Sequence, residues 1–201
     1  MSFIPRMKFP AAAALALAAG VGMIATPAFA DGHKPKAAKE DKLPTVGGAP
    51  MYPTKTIVEN AVNSKDHTTL VTAVQAAGLV ESLSGPGPFT VFAPTNAAFA
   101  KLPAGTVETL VKPENKGTLT SILTYHVVPG RVSATDLIAM IEKGGGNAEL
   151  TTLSGGKLIA HMMGGKVAIM DAAGGMATVT QADVFQSNGV IHVTDGVFLP
   201  G

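Results

Sequence analysis

Cysteine is absent from the chain, which excludes disulfides, a lipobox cysteine for lipid attachment, and every thiolate metal site or nucleophile. Charge is scarce too: 14% of the 201 residues are Asp, Glu, Lys or Arg, and the formal net charge is +1. A nucleic-acid binder needs surplus Lys and Arg to neutralise phosphates, so nucleic acid is not an expected partner. Catalytic signatures are missing as well. The sequence holds no G-x-S-x-G elbow, no G-x-x-x-x-G-K-[ST] phosphate loop, no G-x-G-x-x-G turn, no H-E-x-x-H pair and no EF-hand spacing. Serines, histidines and aspartates are present, but no spacing singles out a triad. The chain is read as a non-enzyme, with no metal ligand set and no cofactor.

What is abundant is apolar: 46% of the residues. Much of that sits at the front, where Arg6 and Lys8 precede an uncharged Ala- and Leu-rich stretch at residues 11–25, followed by Ala28-Phe29-Ala30. This is the layout of a secretory leader with a small-x-small cleavage site. Residues 1–30 are therefore expected to be removed by cleavage near Ala30, leaving a secreted or periplasmic protein. The stretch is short for a membrane span, and no second apolar run of about 18 residues follows. The mature chain of 171 residues loses two positive charges with the leader, so its formal net charge becomes −1. A domain of about 150 residues buries roughly two-thirds of its chain surface, enough for a core that needs no covalent staples. One monomeric domain is expected.

Residues 31–53 mix Lys, Asp31, Glu40 and Asp41 with Pro35, Pro44, Pro50 and Pro53 and show no periodicity, which reads as a tether. Met51 and Tyr52 at its end either dock on the domain or stand exposed. From Thr54 to about Ile141 the pattern is of short helices. Thr56 and Glu59 have capping-box spacing; Leu70, Val71, Val74 and Ala77 follow helical spacing, with Gly78 placed to end that helix. Gly85-Pro86-Gly87-Pro88 is a loop, and residues 89–93 form a buried strand stopped by Pro94. Asn96 is expected to cap a turn carrying Phe99, Thr106 to cap another, and Leu119, Ile122 and Leu123 to share a helix face. Residues 125–128 switch to strand, and Ser133 starts a last helix. Beyond Asn147 short strand-like runs alternate with Ser154-Gly155-Gly156, Gly164-Gly165, Gly174-Gly175 and Asn188-Gly189. Helices segregated ahead of a β half indicate an α+β fold.

Among the histidines, His33 and His67 are expected in solvent, while His126 and His192, inside the apolar runs YHVV and VIHV, are expected as hydrogen-bonded core residues. Strand alternation would place Tyr125 and His126 on opposite faces, with one of them in the core. Asn188-Gly189 reads as a two-residue hairpin turn, and Asp195 before Gly196 as a turn or bulge residue. The Met-rich hairpin invites a copper hypothesis, because thioether and imidazole ligands suit Cu(I). A turn at Gly164-Gly165 pairs Met163 with Lys166, His161 with Ala168 and Ile159 with Met170 on one face. Lys157 and Lys166 share that face and repel a cation, so no metal is expected, and Met162 on the other face is expected as packing.

Three segments carry a signature: TVFAPTNAAF at residues 90–99, LTYHVVPGRV at 123–132 and SNGVIHVTDGVFLP at 187–200. In order and separation they resemble the first conserved box, the Tyr-His segment and the second box of the fasciclin (FAS1) domain. The resemblance covers residues 54–200. It implies an α+β domain in which a wedge-like β-sandwich of two sheets is flanked by short helices. It also implies an extracellular protein without a common catalytic activity, engaged in cell adhesion or in envelope and extracellular-matrix association. The partner would be an extracellular or envelope protein, a polysaccharide or a lipid surface. Some relatives bind apolar small molecules, so a soluble carrier of a carotenoid or lipid is the alternative. The resemblance nominates Tyr125 and His126 for partner contact, and Thr95, Asn96, Phe99, Asn188, Gly189, His192 and Asp195 as structural motif residues. Two positions depart from the pattern: Asn96 stands where Asp is frequent, and Thr194 where Ile is, so a buried Thr194 hydroxyl would need a partner. No RGD tripeptide is present, which closes that route to integrins.

Overall fold

The structure, a computed structural model, describes residues 43–201. The expected leader, its cleavage near Ala30 and the first part of the expected tether lie outside the described residues. The last part of the stretch expected as tether is built into the domain instead. Strands β1 (Thr45–Val46) and β2 (Ala49–Pro50) form a small antiparallel hairpin, and Val46, Ala49 and Met51 are buried against the domain. Gly47 and Gly48 both have positive φ (58° and 77°), as a tight two-residue hairpin turn requires. A Cβ on Gly47 would lie 2.4 Å from Ser64 Oγ, so only glycine lets this turn close onto the helices. Strands of two residues are too short to display a period, which is why the sequence pattern hid them. Met51 docks and Tyr52 stays 39% exposed.

A helical region follows. Thr56 and Glu59 form the expected capping box ahead of α1 (Ile57–Ala61). A 3-10 turn (Lys65–His67) leads into α2 (Thr68–Ala77), which Gly78 ends in the left-handed region; α3 (Val80–Ser84) and the Gly-Pro loop lead into β3 (Phe89–Pro94). Then come α4 (Asn96–Ala100), α5 (Thr106–Leu110) and α6 (Lys116–Tyr125). Here the expected strand over residues 125–128 is corrected. Tyr125 closes α6, His126 is its C-cap, and only β4 (Val127–Pro129) is extended. The reason is local: His126 Nδ1–H donates to the Ile122 carbonyl at 2.8 Å, satisfying one of the acceptors that a helix end leaves open. Ser133 and Asp136 form a second capping box on α7 (Ala134–Lys143).

The strands β5 (Asn147–Thr151), β6 (Lys157–Met163), β7 (Lys166–Met170), β8 (Met176–Gln186) and β9 (Gly189–Thr194) complete a seven-stranded sheet in the order β4-β3-β9-β8-β7-β6-β5. Only β3 and β9 run parallel. The expected pair of sheets is one sheet folded along β8, whose first residues pair with β7 and whose remainder pairs with β9 through two register shifts. Bulges of this kind bend a strand and increase its twist. The two ends of the sheet nearly meet, since Leu153 N–H just beyond β5 donates to the Val127 carbonyl of β4 at 2.8 Å. Inside the fold lie Phe92, Tyr125, Leu137, Leu158, Ile169 and Phe198. On the opposite face of β3 and β9, Val91, Ala93, Ile191 and Val193 pack against α1, α2, α3 and α6. Among the described residues no helix is long and apolar enough to cross a membrane.

The hairpin turn before β9 is shifted by one residue from the sequence expectation. Gln186 pairs with Gly189, so Ser187 and Asn188 occupy the turn, and neither has a positive φ. Gly189 is glycine for another reason: a Cβ there would lie 2.1 Å from the Phe89 carbonyl oxygen. Asn188 is buried and works as a clamp. Its Oδ1 accepts from Ile57 N–H at 3.0 Å, and its Nδ2 donates to the carbonyls of Leu83 and Gly85 at 2.8 and 3.1 Å. Asn188→Ala leaves one donor and two acceptors unmet, so denaturant unfolding should show a loss of about 2 kcal/mol or more. Asn188→Asp should do no better, because it sets a carboxylate against two carbonyls; wild-type stability in either variant would contradict the clamp.

Candidate functional site

The sequence nominates Tyr125 and His126, and the fold buries both, at 1% and 3% exposure. Tyr125 Oη donates to the Lys157 carbonyl at 2.6 Å and accepts from Ala172 N–H at 3.0 Å. With Nδ1–H given to Ile122, His126 Nε2 accepts from Phe198 N–H at 2.9 Å, which describes a neutral ring in a single tautomer. Asp171 stands beside this arrangement, its Oδ2 accepting from Leu199 N–H and its Oδ1 from Gly175 N–H. The Tyr-His pair thus bolts the end of α6 to β6 and to the C-terminal segment. It leaves no polar atom free for an outside partner.

The remaining motif residues are structural in the same sense. Thr95, not Asn96, is the N-cap of α4, accepting from Ala98 N–H. Asn96 instead reaches back to α2. Its Oδ1 accepts from Thr69 N–H and its Nδ2 donates to the Lys65 carbonyl and the Thr68 hydroxyl. Donation of that kind is open to an amide and closed to a carboxylate, which gives the Asn a role of its own here. Phe99 is partly buried against the helix-side core. His192 is fully buried, stacks on Phe92 at 5.6 Å between ring centroids, bonds to the Val132 carbonyl through Nε2, and accepts from Asp183 N–H through Nδ1. Asp195 Oδ1 accepts from Thr178 N–H at 2.7 Å, and the Thr194 hydroxyl finds the Gly196 carbonyl.

His67 is a correction. It is 2% exposed rather than solvated, with Nδ1 against Ser64 Oγ at 2.9 Å and an Nε2 that completes no hydrogen bond. A polar run, Lys65-Asp66-His67, gives no sign of burial; the 3-10 turn swings the ring inward beneath the β1–β2 hairpin. The Met-rich hairpin has the expected register. Met162, expected as packing, is 41% exposed, because the tip of β6 runs past the core that Leu158 and Ala160 fill. Sequence reasoning also missed Asp183, which has φ 58° and whose Oδ1 caps α7 by accepting from Ala134 N–H at 2.7 Å. Nothing local to Ala182-Asp183-Val184 signals that bond, since its partner lies 49 residues away.

Burial pushes His126 down to about 4, with the Ile122 carbonyl and Asp171 pulling the other way. Burial also lowers His67, against the Ala93 backbone and Asp66, and His192, against the Val132 carbonyl and Asp183.

Three small apolar cavities, of about 40, 20 and 30 Å³, all touch Leu70 in the helix layer. Ligand pockets are typically about 300 Å³ or larger, so these are packing voids. An open groove of about 660 Å³ lies between the Gly-Pro loop, Thr56, Arg131 and Ser187.

A family model described as Fasciclin domain matches residues 65–200. The chain belongs to the fasciclin-domain family. It is 51% identical over 160 residues to Protein sll1483 of Synechocystis sp., covering 80% of this chain and 82% of that one. It is 35% identical over 145 residues to Immunogenic protein MPB70 of Mycobacterium bovis, covering 70% and 66%. The structure of a FAS1 domain pair from the insect cell adhesion molecule fasciclin I matches with a TM-score of 0.65 at 20% identity, over 73% of this chain and 51% of that one. That last likeness is one of fold.

The buried histidines make fasciclin-domain stability depend on pH in a defined direction. Their folded-state pKa values lie below the unfolded value near 6.5, so as pH falls the unfolded chain takes up protons first. Stability is full above about pH 6.5 and declines as pH falls toward about 4. His126 alone contributes on the order of 3 kcal/mol to that decline. Unfolding free energies measured by denaturant at pH 7, 5.5 and 4.5 should decrease in that order. His126→Ala should lose about 1–3 kcal/mol at pH 7 and flatten the dependence; an unchanged melt with lost binding would instead make His126 a surface contact.

Proposed function

We propose that this protein is an exported fasciclin domain that acts by binding, in cell adhesion or in attachment to the envelope or extracellular matrix, and that it is not an enzyme. The observation that carries the reading is the use of the polar motif residues. Tyr125, His126, Asn188 and His192 spend their hydrogen-bonding groups on the protein's own backbone, which leaves none of them free as a nucleophile or proton carrier. Family membership and the fold shared with part of an insect cell adhesion molecule support the same reading. The leader-like residues 1–30 support export to the periplasm or the medium. The partner would be an extracellular or envelope protein, a polysaccharide or a lipid surface, met by a monomer.

A carrier of a carotenoid or lipid is the second reading, favoured by the apolar cavities that adjoin one another around Leu70. A ligand of that size requires α1, α2 and α6 to part, at the cost of the helix-side core. Protein purified from its source separates the two readings. The adhesion reading expects no visible absorption band, no stoichiometric pigment or lipid on solvent extraction, and retention on the source's own cell surface. A one-to-one apolar extract would replace it with the carrier.

A further inference from the structure

Of the asparagines in the chain, Asn188 is the one that a glycine follows; Asn60, Asn63, Asn96, Asn115 and Asn147 precede Ala, Ser, Ala, Lys and Ala. That order matters chemically. A side-chain amide can be attacked at Cγ by the backbone nitrogen of the next residue, and glycine there offers no side chain to obstruct the approach. By sequence, Asn188 is therefore the amide most open to attack. The fold holds it shut. Asn188 is 8% exposed, its Oδ1 is held by Ile57 N–H and its Nδ2 by the Leu83 and Gly85 carbonyls, so Cγ can swing onto the Gly189 nitrogen only after those three bonds are given up. The backbone is as confined. The Asn188 carbonyl accepts from Phe89 N–H at 3.1 Å, a Cβ on Gly87 would lie 1.9 Å from that carbonyl oxygen, and a Cβ on Gly189 2.1 Å from the Phe89 carbonyl oxygen. Gly189 itself pairs with Gln186 in the hairpin and with Phe89 in the parallel ladder.

We propose that Asn188-Gly189 is a spontaneous modification site guarded by the fold: it stays intact while the clamp is closed, deamidates when the chain opens, and once converted bars the return to the native state. This goes beyond the binding reading and does not depend on it. In the first step the Gly189 nitrogen gives up its proton and bonds to Asn188 Cγ, the Cγ–Nδ2 bond breaks, and Nδ2 leaves with that proton as ammonia. The cyclic imide then takes up one water from solvent. Opening at Cγ restores the main chain and yields aspartate; opening at the main-chain carbonyl carbon of residue 188 yields isoaspartate, in which the chain runs on through Cγ. Neither product fits. Aspartate sets a carboxylate against the Leu83 and Gly85 carbonyls. Isoaspartate adds one carbon to the chain where Gly87, Phe89 and Gly189 leave no room for one, at the very entry to the ladder between β3 and β9. A reaction that needs an opened chain proceeds in proportion to the open population, so the site turns unfolding events into a permanent mark.

The test incubates the exported protein at mildly alkaline pH, which favours loss of the Gly189 proton, in buffer and in urea below and above its unfolding midpoint. Digestion after Lys166 frees the segment from residue 167 onward, and within residues 167–201 Asn188 is the one asparagine; fragmentation mass spectrometry then measures the amide-to-acid conversion and separates aspartate from isoaspartate. The expected result is conversion about tenfold or more faster above the midpoint than in buffer, rising with the unfolded fraction in between. After return to buffer, unconverted protein should regain the native melting transition and the converted fraction should not. Equal rates in buffer and in urea, absence of conversion in the unfolded chain, or a converted fraction that melts like the starting protein would each overturn the inference.

Discussion

The helical region and the strand-rich region are joined through one parallel ladder, Phe89–Pro94 against Gly189–Thr194. Its two strands lie about a hundred residues apart in sequence, so closure of that long loop has to be offset by what the ladder buries. It buries two cores at once. Phe92 and His192 face the inside of the folded sheet, while Val91, Ala93, Ile191 and Val193 face the helices. The absence of a Cβ at Gly189 admits the Phe89 carbonyl, and Asn188 immediately before it ties down the start of α1 and the end of α3. With no disulfide available, this ladder takes the place of a covalent staple.

Buried polar groups are costly unless they are paired, and this domain buries many. Asn60, Ser64, Thr90, His126, Asp171, Gln186, Asn188, His192 and Thr194 are all below a tenth exposed. Apart from Ser64, whose hydroxyl meets the His67 ring, these groups serve backbone such as a helix end at Ile122, a loop at Val132 and the C-terminal segment at Phe198 and Leu199. Short helices have a high proportion of ends, so a fold built from helices of five to ten residues depends on such partners. The same arrangement makes the core sensitive to acid, since two of those partners, His126 and His192, are imidazoles whose pKa burial lowers.

Much of this was legible in the sequence where the signal is local. The Thr56–Glu59 capping box, the helix start at Ser133, the Gly78 stop and the Gly164-Gly165 turn follow from a few adjacent residues, and the α+β order follows from the change of hydrophobic period. Long-range causes were not legible. Tyr125 sits in a run that suits either helix or strand, and the helix wins because His126 caps it. His67 lies among charged residues and is buried by a hairpin whose strands are too short to show a period. Asn188-Gly189 carries a turn signature, yet each residue answers to a contact outside the turn, Asn188 with α1 and α3 and Gly189 with β3.

A consequence concerns what the three family segments encode. Their chemically conspicuous side chains, Thr95, Asn96, Tyr125, His126, Asn188, His192 and Asp195, are engaged with the protein's own chain. Those segments therefore specify a fold rather than a partner. Exposed groups stand elsewhere: Tyr52, Lys55 and Phe185 lie outside the segments, and Arg131 and Ser187 at their ends. Exposed residues of this kind are under less packing constraint than the buried ones, so they vary at a lower cost to stability. One stable scaffold can then present different surfaces to different partners, which is how a single fold comes to serve unrelated attachments.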